Sequence, residues 1–297
     1  MFEEFVRWVF HPGGVLFSGA VLLIGAIVSW RRKRLPALFV FLIAITTCFW
    51  QETYGDWGAY VLYDHHLAQM PWGSWPFTAP SKPWGILGGY TWFQGLWGLF
   101  CAFFIFLAAR KLPKWNTYIV AVLVTIPIWY LWDVAIEYSN VRAGVWSYIA
   151  PYWPVLHSEK GTFPLLWPIL EQIPFNAFTA WIVFRLWRDP NGLTPLDHFV
   201  PVAPPVRTSP GRTTPARGDS RSPLDDAVAE SREGATAVAV QEARPHTDTE
   251  APSWDVRYEL ARVATWCIGF NVVFFVTCIG PLMLVRILFG DPNPLIP

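Results

Sequence analysis

Six uninterrupted apolar stretches, each long enough to cross a bilayer, constrain this chain more than any other feature. They run Gly13–Trp30, Leu35–Tyr54, Ile86–Ala109, Tyr118–Tyr138, Phe163–Trp187 and Ala261–Phe289. A hydrocarbon core takes roughly 20 helical residues to cross. In lipid the backbone must satisfy itself within each segment, so continuous runs become helices. A barrel would need short strands of alternating polarity, which these are not. The expected fold is all-α: a polytopic membrane bundle of about six helices, five within residues 1–188 and the last within 254–297. Composition agrees, with 53% hydrophobic and only 15% charged residues, too few to coat a soluble surface. Lys+Arg and Asp+Glu balance at 22 each, which gives no electrostatic reason to expect nucleic acid.

The first stretch is not a cleavable signal. Glu3 and Glu4 precede it and Arg31-Arg32-Lys33-Arg34 follow it, the reverse of a signal's charge order. Orientation follows from the basic residues. Arg31 to Arg34, Arg110, Lys111, Lys114, Arg185, Arg188, Arg257 and Arg262 fall on one side, and Arg7, Lys82, Arg142, Lys160 and Arg286 on the other. Eleven against five puts both termini outside the cytoplasm, with the plasma membrane as the expected location. Residues 189–253 have no aromatic between Phe199 and Trp254 and are rich in Pro, Arg, Ser and Thr. Such a segment cannot bury enough apolar area to offset its ordering entropy, so a disordered cytoplasmic loop is expected, its protein partner unknown. Cys48, Cys101, Cys267 and Cys278 lie inside apolar runs and make no CxxC pair. They read as buried small side chains.

Ionisable residues inside spans are costly, and so mark function. Here they cluster. Asp133 and Glu137 sit four apart at the outer end of the fourth span, and Glu52 and Asp56 repeat that spacing on the second, each pair on one helix face. Glu171 and Gln172 lie in the fifth, among Pro164, Pro168 and Pro174, which free backbone carbonyls as cavity-lining broken helices do. By helical rise Asp133 lies roughly 8 Å and Glu171 roughly 12 Å below the outer boundary. A shared depth suggests one shared site. Glu52, Asp56 and Glu137 also fit as ordinary interfacial carboxylates, and Asn176 and Asn271 as interhelical hydrogen-bonding residues.

Arg142 is placed to pair with Asp133 or Glu137, or to hold an anionic part of a substrate; snorkelling to headgroups is the plain alternative. Between Gly55 and Gly85 the chain is rich in Trp, Tyr and Pro, including Trp57, Tyr60, Trp72, Trp75 and Trp84, which suits a lid over a cavity. Asp64, His65 and His66 are adjacent, but no further His or Cys stands at ligand spacing, so no metal is expected. No phosphate-binding loop, dinucleotide turn or serine elbow occurs. In an apolar pocket one carboxyl can donate a proton while another, kept ionised by a cation, accepts one. Aromatic faces stabilise a developing cation. These parts suit acid-initiated cyclisation of a lipophilic substrate drawn from membrane lipid, with no cofactor.

Over most of residues 1–190 and the last helix the chain resembles the AveC-type spirocyclase family. The resemblance rests on the Arg/Lys turn, Glu52…Asp56-Trp57…Tyr60, Pro71-Trp-Gly-Ser-Trp75…Pro80…Pro83, Gly89-Tyr90, and Asp133…Glu137…Arg142-x-Gly144-x-Trp146-x-Tyr148. It implies a membrane enzyme that closes a dihydroxy-ketone polyketide into a spiroketal. A fainter similarity, to membrane lycopene-type carotenoid cyclases, rests on Trp132-Asp133, Gly144-x-Trp146 and Pro168-x-x-Glu171, with Gln172 where those proteins carry a second Glu. The expected catalytic set is Asp133 and Glu171 as acid–base pair, supported by Glu137, Glu52 and Asp56. Arg142, Trp57, Tyr60, Trp146, Tyr148, Gln172 and Asn176 are the expected substrate contacts. The rival reading is a proton-coupled transporter or lipid-binding membrane protein.

Overall fold

The computed structural model describes residues 1–70, 82–149, 154–169, 173–189, 193–202 and 255–290. Residues 203–254, most of the stretch read as a disordered loop, lie outside them. Among the described residues five helices are long and apolar enough to cross a membrane: α1 (Phe2–Arg32), α2 (Ala37–Ala59), α3 (Gly85–Lys111), α4 (Thr117–Ala143) and α6 (Val256–Phe289). Between α4 and α6 comes α5, described over Ile173–Arg188. Leu23, Leu131, Ile268 and Phe289 are among many large apolar side chains facing outward, more than a water-soluble surface carries. The protein is an all-α, multi-pass membrane bundle.

Local sequence sets where each helix begins and ends. Pro12, inside α1, is accommodated by a π-helical turn over Val9–Gly13, which relieves the clash of the proline ring with the preceding turn. Arg31 and Arg32 sit in the last turn of α1, where the helix dipole favours cations. The Asn116 side chain accepts from the Tyr118 amide to start α4, and Asp255 does the same for Tyr258 in α6.

The span bounds differ from expectation, α2 and α4 running on past Tyr54 and Tyr138 to Ala59 and Ala143. α1 starts at Phe2, because π-helical geometry carries the helix through Pro12. α6 starts at Val256, capped by Asp255. The expected fifth span is the largest correction. Gly161–Pro164 pairs as a strand, so the segment is not helical from Phe163, and the helix is described over Ile173–Arg188. It is the central helix: Phe175, Ala177, Ala180, Val183 and Phe184 are fully buried. Its neighbours α3, α4 and α6 shield it from lipid.

Two short ribbons cap one end of the bundle. β1 (Val61–Tyr63) follows α2 and β2 (Trp146–Tyr148) follows α4; they pair antiparallel with Tyr63 opposite Trp146. β3 (Val155–Ser158) pairs with β4 (Gly161–Pro164), and Thr162 Oγ1 donates to the Tyr148 carbonyl at 2.6 Å. Arg7, near the start of α1, donates to the carbonyls of Ala143 and Gly144 at 3.1 and 3.0 Å. Arg286, near the end of α6, donates to the Trp57 carbonyl. Both ends of the helix array therefore lie at the ribbon end. At the opposite end residues 193–202, expected to belong to the disordered loop, are fastened to α6. The Arg262 Nε and Trp266 Nε1 donate to Asp197 at 2.6 and 3.0 Å. That charge-assisted anchor gives residues 193–202 a fixed place where composition suggested none.

Candidate functional site

Two helices that stop in the same way bring the carboxylates together. α2 ends on Tyr60 at φ 56° and α4 on Gly144 at φ 68°. Both are left-handed caps that turn the chain directly into strands. Because β1 and β2 then pair, the ends of α2 and α4 are held level. Counted back from the caps, Asp56 and Glu52 lie about 6 and 12 Å down α2, and Glu137 and Asp133 about 10 and 16 Å down α4. The four acids line one internal cavity of about 70 Å³ together with Phe10, Tyr63, Tyr90, Phe93, Gln94, Trp146, Tyr148 and Trp167. Phe10 belongs to the π-helical turn of α1, and Tyr90, Phe93 and Gln94 to another in α3 over Tyr90–Leu96. Such turns re-aim side chains and recur at functional sites.

Three of the four acids are held by donors. Asp56 is paired with Lys82, itself only 2% exposed, and accepts from the Tyr63 hydroxyl at 3.3 Å. Glu52 accepts from the Tyr90 hydroxyl. Glu137 Oε2 accepts from Trp146 Nε1 and from the Tyr148 hydroxyl, both at 2.9 Å. Asp133 is different. It is 3% exposed, and its Oδ1 has no hydrogen-bond partner. Phe93, which lines the same cavity, packs against Trp129 and Trp132. An unsatisfied buried oxygen costs free energy, and Asp133 differs from Thr125 and Asn140, which also carry one, in lining the cavity. Burial, then the charges of Asp56, Glu52 and Glu137, holds the Tyr63 phenol well above its ordinary value of 10, so it remains a donor.

Tyr63 and Trp146, cross-strand partners with ring centroids 5.8 Å apart, also wall a second, open basin of about 370 Å³ that includes Arg7, Asp64, Gly144 and Lys160. They separate the acid cavity from the outer surface. In the basin Arg7 bridges to Asp64 at 2.7 Å. Burial opposes ionisation of Asp64, but hydrogen bonds from the His66 amide and ring and from Arg7 prevail and hold it at about 2. Asp64, His65 and His66 place ligand atoms within 4.8 Å of one another, with both imidazoles exposed and Asp64 committed to Arg7.

Of the residues expected at the site, Glu52, Asp56, Asp133, Glu137, Trp146 and Tyr148 line the cavity. Several do not. Arg142 is exposed and stacks over the Phe2 ring at 5.7 Å; as the last turn of α4 rotates it away from Asp133 and Glu137, Lys82 supplies the positive charge instead. Trp57 and Tyr60 enclose the Arg286 guanidinium, at 4.1 and 4.0 Å from their centroids. Asn176 is buried in α5 and is not among the lining residues. Glu171, Gln172 and the centre of the aromatic loop, residues 71–81, lie outside the described residues. The flanks of that loop meet: Met70 N donates to the Lys82 carbonyl at 2.7 Å. Asn271 does join helices, accepting from Trp50 and Gln51 at 2.8 Å and donating to Thr47 at 2.9 Å. Sequence reasoning missed Lys82, Phe10 and Phe93. Lys82 carried no signal beyond being a lone cation in a Trp/Pro-rich stretch.

No family model, no curated protein and no solved structure matches the chain. Fold and site together define a multi-pass helical membrane protein with four carboxylates gathered beneath its ribbon-capped end.

Proposed function

We propose that the protein is a cofactor-independent, AveC-type membrane cyclase that closes rings in a lipophilic polyketide-like or isoprenoid substrate by acid–base catalysis. The observation that carries the reading is the partnerless Asp133 oxygen, set in one cavity with three carboxylates that donors hold in place. The residues behind the family resemblance support it too: Glu52, Asp56, Tyr90, Asp133, Glu137, Trp146 and Tyr148 all line that cavity. In spiroketal formation Asp133 protonates the ketone oxygen as one substrate hydroxyl adds to the carbon and passes its proton to Glu137. Protonation of the resulting hemiketal hydroxyl expels water and leaves an oxocarbenium ion. The second hydroxyl adds to that ion and returns its proton to a carboxylate. The sum is one dihydroxy ketone giving one spiroketal and one water, with no redox change. Aromatic faces around the cavity stabilise the cationic intermediate. The test supplies membranes carrying Asp133→Asn or Glu137→Gln with a dihydroxy ketone and follows loss of water by mass spectrometry. Undiminished turnover in both variants removes the reading.

One observation favours a second reading, proton-coupled transport. A space of about 70 Å³ is far below the roughly 300 Å³ at which small-molecule pockets begin, so the cyclase must open its cavity to bind. Proteoliposomes under a pH gradient distinguish the two, since only a transporter sustains flux without a chemical product. In either reading the chain lies in the plasma membrane with both termini outside the cytoplasm, an orientation supported by the eleven basic residues assigned to the opposite side.

A further inference from the structure

Acidic groups outnumber basic ones around the cavity. Four carboxylates face a single lysine, Lys82, which is committed to Asp56, and Arg142 points away. Among the donors in the wall, Tyr63, Tyr90, Trp146 and Tyr148 each bond a carboxylate. The wall also offers the Asp133 carboxyl, which takes no donor at Oδ1, and the rings of Phe10, Phe93 and Trp146. Acceptors beside aromatic faces recognise ammonium groups, because the ion gains a charge-assisted hydrogen bond and ring attraction together. A metal ion fits less well. Among the described residues the group of three acidic or imidazole side chains with ligand atoms within 4.8 Å is Asp64, His65 and His66, outside this cavity.

We propose that the cavity binds a small organic ammonium ion, held by Asp133 and caged by the surrounding rings. The proposal deepens the cyclase reading, since a bound ammonium mimics the oxocarbenium ion, but its test needs no turnover. Full-length protein in lipid nanodiscs is titrated with methylammonium chloride, with sodium chloride and methanol at equal concentration as comparisons, while thermal unfolding and tryptophan emission are recorded. Methylammonium gives a saturable upward shift in unfolding temperature that neither comparison reproduces. Asp133→Asn weakens the apparent affinity at least tenfold, the loss expected for one hydrogen bond to a charged group, about 1.5–3 kcal/mol. Arg142→Gln, outside the cavity, leaves it unchanged. An equal response to methanol means the cavity selects neutral donors, and an equal response to sodium means it selects charge alone; either overturns the proposal, as does no saturable response. The wild-type comparison stands even if Asp133→Asn does not fold. Loss of cyclisation with ammonium binding intact would sink only the catalytic reading.

Discussion

Two buried aspartates, at opposite ends of the bundle, have almost the same exposure and opposite surroundings. Asp197 has a side chain 3% exposed and takes hydrogen bonds from the Thr194 amide and hydroxyl at 2.6 and 2.9 Å, from Arg262 and from Trp266. Asp133, also 3% exposed, has an oxygen with no donor at all. The first closes a chain connection onto α6 and leaves nothing free for a ligand. The second lines a cavity, with one oxygen left without a donor. Burial alone therefore does not separate structural from functional carboxylates; what surrounds each one does.

That contrast makes opposite demands of mutation. Asp133→Asn lowers ring-closing turnover by roughly 10²–10⁴-fold, the contribution of a positioned general acid, while unfolding in detergent stays within about 1 kcal/mol of wild type. A large loss of stability there would make Asp133 structural. Arg262→Met strands the Asp197 charge in the interior and costs about 3–5 kcal/mol, read as a fall in unfolding temperature, with turnover per folded molecule retained. Gly144→Ala puts a side chain at φ 68° and costs about 1–2 kcal/mol. Because it also disturbs the register of β1 with β2, turnover falls with it, which ties cavity geometry to the ribbon. The smallest effect concerns pH. Asp64 lies at about 2 in the folded protein against an ordinary 3.8, so its contribution is complete above roughly pH 4 and is lost as the pH falls toward 2. Asp64→Asn flattens that acid limb in a stability titration and leaves the neutral region displaced downward.

Much of this was legible along the chain, and the exceptions share a cause. Glu52 with Asp56 and Asp133 with Glu137 could be paired from i,i+4 spacing, since one helix face is a local property. Trp146 and Tyr148 were legible as motif residues two apart. Lys82 was not, because its environment is made by residues distant in sequence; charge counting placed it among outer basic residues, and the fold buries it at 2% exposure. Arg142 failed for the reverse reason. Proximity in sequence suggested a pairing that the direction of the last α4 turn forbids.

By itself the sequence determined that the chain crosses a membrane several times, where most spans run, and which acids share a helix face. Each follows from backbone hydrogen bonding in lipid and from 3.6-residue periodicity, and neither needs a partner segment. Tertiary structure alone decided that α2 and α4 end level beneath one ribbon, that Lys82 neutralises Asp56, and that Pro164 ends a strand where a span was expected. It also decided that one Asp133 oxygen lacks a donor while both Asp197 oxygens have one. Hydrogen-bond satisfaction between distant segments depends on where folding carries each donor, and no pattern along the chain records that.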